Sequence, residues 1–153
     1  MRLTVAVVGK PRNAALAAAI HEYETRAARY WPLDVHEVRE ERAASRDPRI
    51  VRQREGERLV EHAGSSHLIA CDLSGKGYTS EKFAQWLNSE RERGRDVAFV
   101  IGGAYGLSEE LLEKSRTRVS LAPWTLSHEL ARLVLAEQLY RAGTIVRGEP
   151  YHK

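Results

Sequence analysis

Cysteine occurs once in the 153 residues, at Cys71, so no internal disulfide can form and a reducing compartment is the expectation. Long apolar runs are missing as well: none approaches the ~20 residues that a bilayer-spanning helix needs. The first residues, Met1 to Val5, enter strand-like sequence at once and lack the layout of a signal peptide, which predicts a cytoplasmic protein without a membrane partner. Metal-ligand spacing is absent too. His21, His36, His62, His67, His128 and His152 form no pair with one another or with Cys71 at such spacing, and no metal site is expected. No G-x-S-x-G elbow is present. Ser74-Gly75-Lys76-Gly77 fails the phosphate-loop pattern, because Ala70 stands where its first glycine belongs and Gly77 where its Ser/Thr belongs, and that excludes a P-loop NTPase. Neither a repeat nor a low-complexity tract nor a Pro/Gly linker interrupts the chain, so residues 1–153 are read as a single domain.

What is present is an ordinary globular composition, 42% hydrophobic and 29% charged. The net charge is only +3, yet arginine outnumbers lysine 19 to 5. A planar guanidinium suits bidentate phosphate contact and stacking on bases, although an arginine-rich codon bias gives the same count. Charge alone does not identify a nucleic-acid protein.

Apolar runs and helical stripes alternate along the chain. Leu3 to Val8 reads as a buried strand ended by Gly9, and Leu16, Ile20, Tyr23, Ala27 and Tyr30 form a helical stripe stopped by Pro32. Val35 and Val38 mark a second strand. The charge-dense stretch Arg39 to Arg58 predicts a loop and then a helix reaching Ala63, with a turn at Gly64-Ser65-Ser66. Leu68 to Leu73 reads as a third strand, and Thr79-Ser80 caps a helix carrying Phe83, Trp86 and Leu87 that ends near Gly94. Val97 to Ile101 is the most apolar strand. Ser108 caps a short helix with Leu111 and Leu112, Val119 to Leu121 forms a last strand, and a last helix runs from Leu126 to about Gly143. Continuous apolar strands between helices predict an α/β domain whose parallel-type sheet is covered on both faces. In the last helix, Leu130, Leu133, Val134, Leu135, Leu139 and Tyr140 occupy more than one stripe, so it is either a central core helix or part of a subunit interface.

Ligands of open parallel sheets sit beyond the carboxyl ends of the strands. Three segments qualify here: Asp72 to Gly77, Gly102 to Gly106 and Leu121 to His128. The glycines Gly102, Gly103 and Gly106 permit tight turns and close approach to a flat ligand, and they equally suit a structural turn. The terminus Arg147-Gly148-Glu149-Pro150-Tyr151-His152-Lys153 combines a proline with an aromatic, an imidazole and a cation. Those groups can stack on a base, exchange a proton and contact a phosphate.

Several ordered motifs carry a family resemblance: Val100 to Leu107, Leu126-Ser127-His128-Glu129-Leu130-Ala131-Arg132-Leu133, Glu137-Gln138-Leu139-Tyr140-Arg141-Ala142, and the terminal Gly148 to Lys153. Ala6 to Lys10 and Arg54 to Arg58 extend the match over the whole chain. The sequence resembles the small SPOUT, or trefoil-knot, family of bacterial 23S ribosomal RNA pseudouridine N3-methyltransferases. The resemblance implies a C-terminal trefoil knot with the cofactor region at about 68–153, S-adenosyl-L-methionine as cofactor and a homodimer. It further implies 23S rRNA as substrate, within the large subunit or the assembled 70S ribosome. Carried over residue by residue, it places cofactor contacts at Cys71, Gly102, Leu121, Ala122, Pro123, Trp124, Thr125 and Leu126. Cys71 stands where the family usually has leucine, Ser127 where it has proline, and Trp124 is bulkier than its usual counterpart.

The same resemblance assigns the substrate side to Arg141, Tyr151 and His152. Arg141 is expected against phosphate or developing charge, Tyr151 as a stacking or hydrogen-bonding group and His152 as a candidate base, with the proton acceptor left unassigned and His128 an alternative organiser of the cofactor loop. Two other classes compete. A catalytically silent SPOUT-fold RNA-binding protein would bind RNA but no cofactor, and a flavodoxin-like module would bind nucleotide or flavin and ignore ribosomes. A methyltransferase with another RNA substrate is the nearer alternative.

Overall fold

Strand and helix alternate throughout the described residues, 1–42 and 47–153 of the computed structural model. The elements are β1 (Leu3–Val8), α1 (Ala14–Ala27), β2 (Leu33–Val38), α2 (Pro48–Ala63), β3 (His67–Gly77), α3 (Ser80–Glu92), β4 (Val97–Ile101), α4 (Glu109–Lys114), β5 (Thr117–Ser120) and α5 (His128–Val146). The predicted loop within Arg39–Arg58 falls partly on residues 43–46, which lie outside the described residues. Its predicted helix is α2, capped by Asp47, whose side chain accepts from the Arg49 N–H at 2.9 Å.

All five strands join one parallel sheet in the order β2-β1-β4-β3-β5. Because successive side chains point to opposite faces, each central strand feeds two cores. Leu3, Val5, Val7, Ile69, Val97, Phe99 and Ile101 pack with Ala27, Phe83, Leu87, Leu135 and Leu139, under α1, α3 and α5. Ala6, Val8, Leu68, Ala70, Ala98 and Val100 pack with Leu59, Ala63 and Leu111, under α2 and α4. The sheet is therefore covered on both faces, as the continuous apolar strands predict.

Four boundaries differ from the sequence reading. Helix α1 ends at Ala27, and Tyr30 lies in a tighter turn whose N–H donates to Ala27 O at 2.9 Å. That turn delivers Trp31 into the core, where its indole N–H donates to Leu139 O at 2.8 Å. Strand β3 runs on to Gly77, so Asp72 to Gly77 is not an open loop. Cys71 and Lys76 both register with Val119, and the intervening residues bulge outward. Asp72 holds the bulge, its Oδ2 accepting from the Ser74 N–H at 2.8 Å and from the Ser74 hydroxyl. Strand β5 ends at Ser120, which leaves Leu121 in the following loop. Helix α5 begins at His128 because Ser127 caps it, and it continues to Val146.

Helix α5 is largely a core helix. Leu135 and Leu139 are buried against α1, α3 and the sheet, whereas Leu130 in its first turn is 40% exposed. Arg132 is buried and joins α5 to two elements, reaching Glu24 on α1 at 2.7 Å and Glu37 on β2 at 2.7 Å. Burial opposes its charge, and the two carboxylates more than offset that, so the guanidinium stays ionised. Among the described residues, no helix is long and apolar enough to cross a membrane.

Candidate functional site

The carboxyl ends of β3, β4 and β5 converge on one cleft of about 200 Å³. Cys71, Asp72 and Leu73 come from the β3 bulge, Ile101 to Gly103 from the end of β4, and Leu121, Ala122, Trp124, Thr125 and Leu126 from the loop after β5. Seven of the eight residues expected to touch a cofactor thus meet at one place. The exception is Pro123, which is exposed and outside the cleft lining, so it shapes the loop rather than the surface a ligand meets. A proline's fixed φ gives it that role.

Three features make the cleft a receptor for a flat polar molecule. The first is Gly102, where a Cβ would stand 2.6 Å from the carbonyl carbon and oxygen of Gly106, so only glycine lets the β4 end fold against its own turn. That turn closes with the Gly106 N–H donating to Gly103 O at 3.0 Å. The second is the loop after β5: among the described residues, the N–H groups of Ala122, Trp124, Thr125 and Leu126 donate to no backbone carbonyl, so they are available to an incoming acceptor. The Ser120 hydroxyl, donating to Ala122 O at 2.7 Å, fixes the loop's entry. The third is His128, whose Nε2 is buried at the cleft without a hydrogen-bond partner. A buried polar atom of this kind costs about 1–3 kcal/mol until something pairs with it.

Burial pushes the Cys71 thiol up to about 12, and the neighbouring Asp72 charge pushes in the same direction. Cys71 is therefore a neutral, apolar wall of the cleft and not a nucleophile.

Glu55 is a group that the sequence reading did not single out. It is 4% exposed, its Oε1 accepts from the Glu41 N–H at 3.0 Å, and its Oε2 has no partner among the described residues. That orphaned oxygen lies beneath the glycine turn, 2.9 Å from where a Gly103 Cβ would stand. Burial raises the carboxyl's pKa, the Glu41 N–H opposes the rise and the Glu40 charge reinforces it. Glu55 stands in a run of alternating charge, and nothing in its spacing distinguishes it from solvated neighbours such as Glu57.

Arg141, Tyr151 and His152 also come together, at the other end of α5. Glu137 Oε1 accepts from Arg141 Nε at 3.0 Å, from Arg141 Nη2 at 2.6 Å and from the Tyr151 hydroxyl at 3.0 Å. The Arg141 guanidinium lies 4.7 Å above the Tyr151 ring. Arg141 Nη1 is 3.3 Å from His152 Nδ1, and His152 Nε2 is 2.9 Å from Glu81 Oε1. Arginine can only donate, so Nδ1 is the acceptor and the imidazole proton sits on Nε2, directed at Glu81. Burial, then bonds to Tyr23 and Glu137, raise the Tyr151 phenol above its ordinary value, which makes it a hydrogen-bond donor and no base.

The two groups of residues are not brought together within one chain. His128 and Ala131 line the cleft, whereas Arg141 lies ten residues beyond Ala131 on the same helix. At ~1.5 Å per residue that is about 15 Å. Among the described residues no cluster of three or more His, Cys, Asp or Glu is placed to hold a metal ion.

The family described as "Predicted SPOUT methyltransferase" matches residues 1–152. A protein of Gemmatimonas aurantiaca named ribosomal RNA large subunit methyltransferase H is 56% identical over 154 residues, covering all of both chains. Proteins of the same name from an Anaeromyxobacter species and from Clostridium botulinum are 46% and 40% identical, again over the full length of both chains. Among solved structures, the SpoU methyltransferase AviRb of Streptomyces viridochromogenes, in complex with AdoMet, overlays with a TM-score of 0.47 at 15% identity, covering 97% of this chain and 59% of that one.

Proposed function

Because the chain belongs to the SPOUT methyltransferase family, we propose that it transfers a methyl group from S-adenosyl-L-methionine to N3 of a pseudouridine in 23S ribosomal RNA. The substrate in this reading is the large subunit or the assembled 70S ribosome, met in the cytoplasm. The observation that carries it is the convergence of Cys71, Gly102 and the loop Leu121–Leu126 on one cleft with unpaired donors. The names of the full-length relatives, which specify large-subunit ribosomal RNA, support the substrate class.

The residues present fit the cofactor. The unpaired N–H groups of Ala122, Trp124, Thr125 and Leu126 suit the edge of an adenine, Gly102 admits close approach, and Cys71, Leu73 and Leu121 offer apolar contact. The sulfonium supplies an already activated methyl group. The region of about 68–153 is read as the family's knotted cofactor cradle. Holding two reactants in line lowers a barrier by roughly 7–11 kcal/mol in favourable systems, against a factor of ~10²–10⁴ from a positioned base. Pocket geometry is therefore the larger contribution.

On the substrate side, Arg141 meets phosphate or developing negative charge, Tyr151 donates or stacks, and His152 offers Nδ1 once Arg141 turns away from it. Glu137 and Glu81 position these groups by the bonds described above. Since Arg141 lies about 15 Å along α5 from Ala131, the last residue of that helix to line its own cleft, the active unit is a homodimer in which one copy's tail completes its partner's cleft. Exposed apolar side chains of the cleft lining, Leu73 at 52% and Trp124 at 77%, with Tyr105 and Leu130 next in sequence to its residues Gly106 and Ala131, support such a contact.

The deciding experiment incubates the protein with labelled S-adenosyl-L-methionine and ribosomes from cells lacking the activity, then maps the labelled base. Label at a large-subunit pseudouridine is expected. No transfer despite measured cofactor binding would assign a different substrate. Mixing a Gly102→Ala chain with a His152→Ala chain tests the shared site, because only a composite site regains activity in the mixed dimer.

A further inference from the structure

Beside the cofactor cleft, along the same edge of the sheet, lies a larger groove of about 540 Å³. It is built where β1 and β2 end. The segment Gly9 to Arg12 forms one wall and Glu37 to Arg42 the other. The Gly9 N–H donates to Val38 O at 2.8 Å, closing the floor. Gly9 has a φ of +77°, a backbone conformation that side-chain-bearing residues rarely adopt, so glycine favours the turn between the walls. The second wall is braced from behind, where Arg58 Nη1 donates to Arg39 O at 2.8 Å.

The charge of the groove is not balanced. Its two carboxylates are already engaged, Glu37 by buried Arg132 at 2.7 Å and Glu40 by Arg12 at 2.8 Å. Among the described residues, Lys10, Arg39 and Arg42 have no carboxylate within 4.0 Å, and all three are exposed. A preformed trough with three unpaired cations and engaged acids attracts a polyanion.

The groove is also joined to the cofactor cleft. The Arg12 N–H donates to Glu129 Oε1, in the first turn of α5 next to His128, which lines that cleft. β1 pairs directly with β4, the strand that carries the glycine turn. A strand lying in the groove thus passes by the mouth of the cleft.

We infer that Lys10, Arg39 and Arg42 form an RNA-backbone track that binds phosphates flanking the methylated base. This rests on the proposed ribosomal RNA substrate and adds where the chain holds it. Phosphate contacts of this kind set register without reading sequence.

The test uses the full-length protein and its Lys10→Ala, Arg39→Ala, Arg42→Ala triple variant, with Arg116→Ala, at the opposite edge of the sheet, as control. Binding to 70S ribosomes, to protein-free 23S RNA and to a short single-stranded RNA is measured across a salt series. The triple variant should bind each at least tenfold more weakly at ~0.1 M salt, with the slope of log K against log salt shallower by about 2–3, close to 0.7–0.9 per phosphate contact. Its cofactor affinity and melting temperature should match the parent, as should all readings of Arg116→Ala. A triple variant with the parent's RNA affinity and salt slope overturns the track. Weakening seen with ribosomes but not with free 23S RNA also overturns it and points to a ribosomal protein partner. If the parent transfers no methyl group to ribosomes while the triple variant still loses RNA affinity, the track stands and the proposed substrate falls. A parent that binds none of the three RNAs overturns both.

Discussion

The Tyr151 hydroxyl donates to Glu137 Oε1 over 3.0 Å, and the same oxygen holds two nitrogens of Arg141. One carboxylate on α5 therefore sets both the stacked pair and the terminal segment that carries His152. Glu137→Gln should leave cofactor affinity unchanged and lower kcat by about tenfold to a hundredfold in the ribosome assay. Loss of the carboxylate charge should also bring the Tyr151 phenol back toward its ordinary value of about 10, visible as an earlier phenolate signal in an ultraviolet pH titration. An unmoved titration would remove Glu137 from this role.

Glu81 and His152 give the tail a pH dependence on the acid side. The Glu81 carboxyl is held down to about 2, first by its own backbone N–H at the start of α3 and then by His152 and Thr79. A depressed carboxyl contributes stability that is present above its unfolded value near ~4.3 and lost as pH falls toward about 2. Urea unfolding of the parent and Glu81→Gln should therefore converge below that window and diverge above it. The difference should shrink in high salt, because the pair is solvent-facing. Parallel pH curves for the two proteins would contradict it.

Glu55 has the opposite sign. Its raised folded-state pKa means the stability contribution is complete below ~4.3 and lost as pH rises through the folded value. Glu55→Gln keeps the acceptor for the Glu41 N–H and removes a buried charge. It should be more stable than the parent by about 1 kcal/mol at pH ~8, with little difference at pH ~4. Equal unfolding free energies at both pH values would show that the carboxyl is not strained.

Gly102→Ala should abolish measurable cofactor binding, a loss of at least a hundredfold by calorimetry. The new Cβ would stand 2.6 Å from Gly106 backbone atoms, and neither the turn nor β4 can yield cheaply. A folded Gly102→Ala protein with the parent's affinity would mean that the cofactor does not use this turn.

Trp124 is 77% exposed, so Trp124→Ala should change stability by less than about 0.5 kcal/mol. It should weaken cofactor binding or dimer formation by about fivefold to tenfold, read by calorimetry and by sedimentation. Trp31 is buried and Trp86 packs partly buried against the same core, so fluorescence that responds to cofactor and disappears in this variant reports on the cleft.

The glycine turn and the loop after β5 were legible before any coordinates because each has a local cause: an apolar strand that stops at glycines, and a segment between a short apolar strand and a helical stripe. Glu55 and the basic groove were not, since their meaning comes from what stands opposite. Glu55 reads as one more acid in Arg39–Arg58 until it is found buried under Gly103. The β3 bulge was missed for a similar reason, as Cys71 and Lys76 share Val119 on a strand more than forty residues away.

By itself, the sequence determined the α/β alternation, the two-sided burial of the sheet and the family motifs, because hydrophobic period and glycine placement act within a few residues. Tertiary structure alone decided which carboxylates are engaged and which cations are left over, and that His128 Nε2 is orphaned at the cleft. It also decided that Arg141, Tyr151 and His152 gather at the opposite end of α5 from the cleft. Charge pairing and desolvation depend on distances between residues far apart in the chain, and only the packed sheet sets those distances.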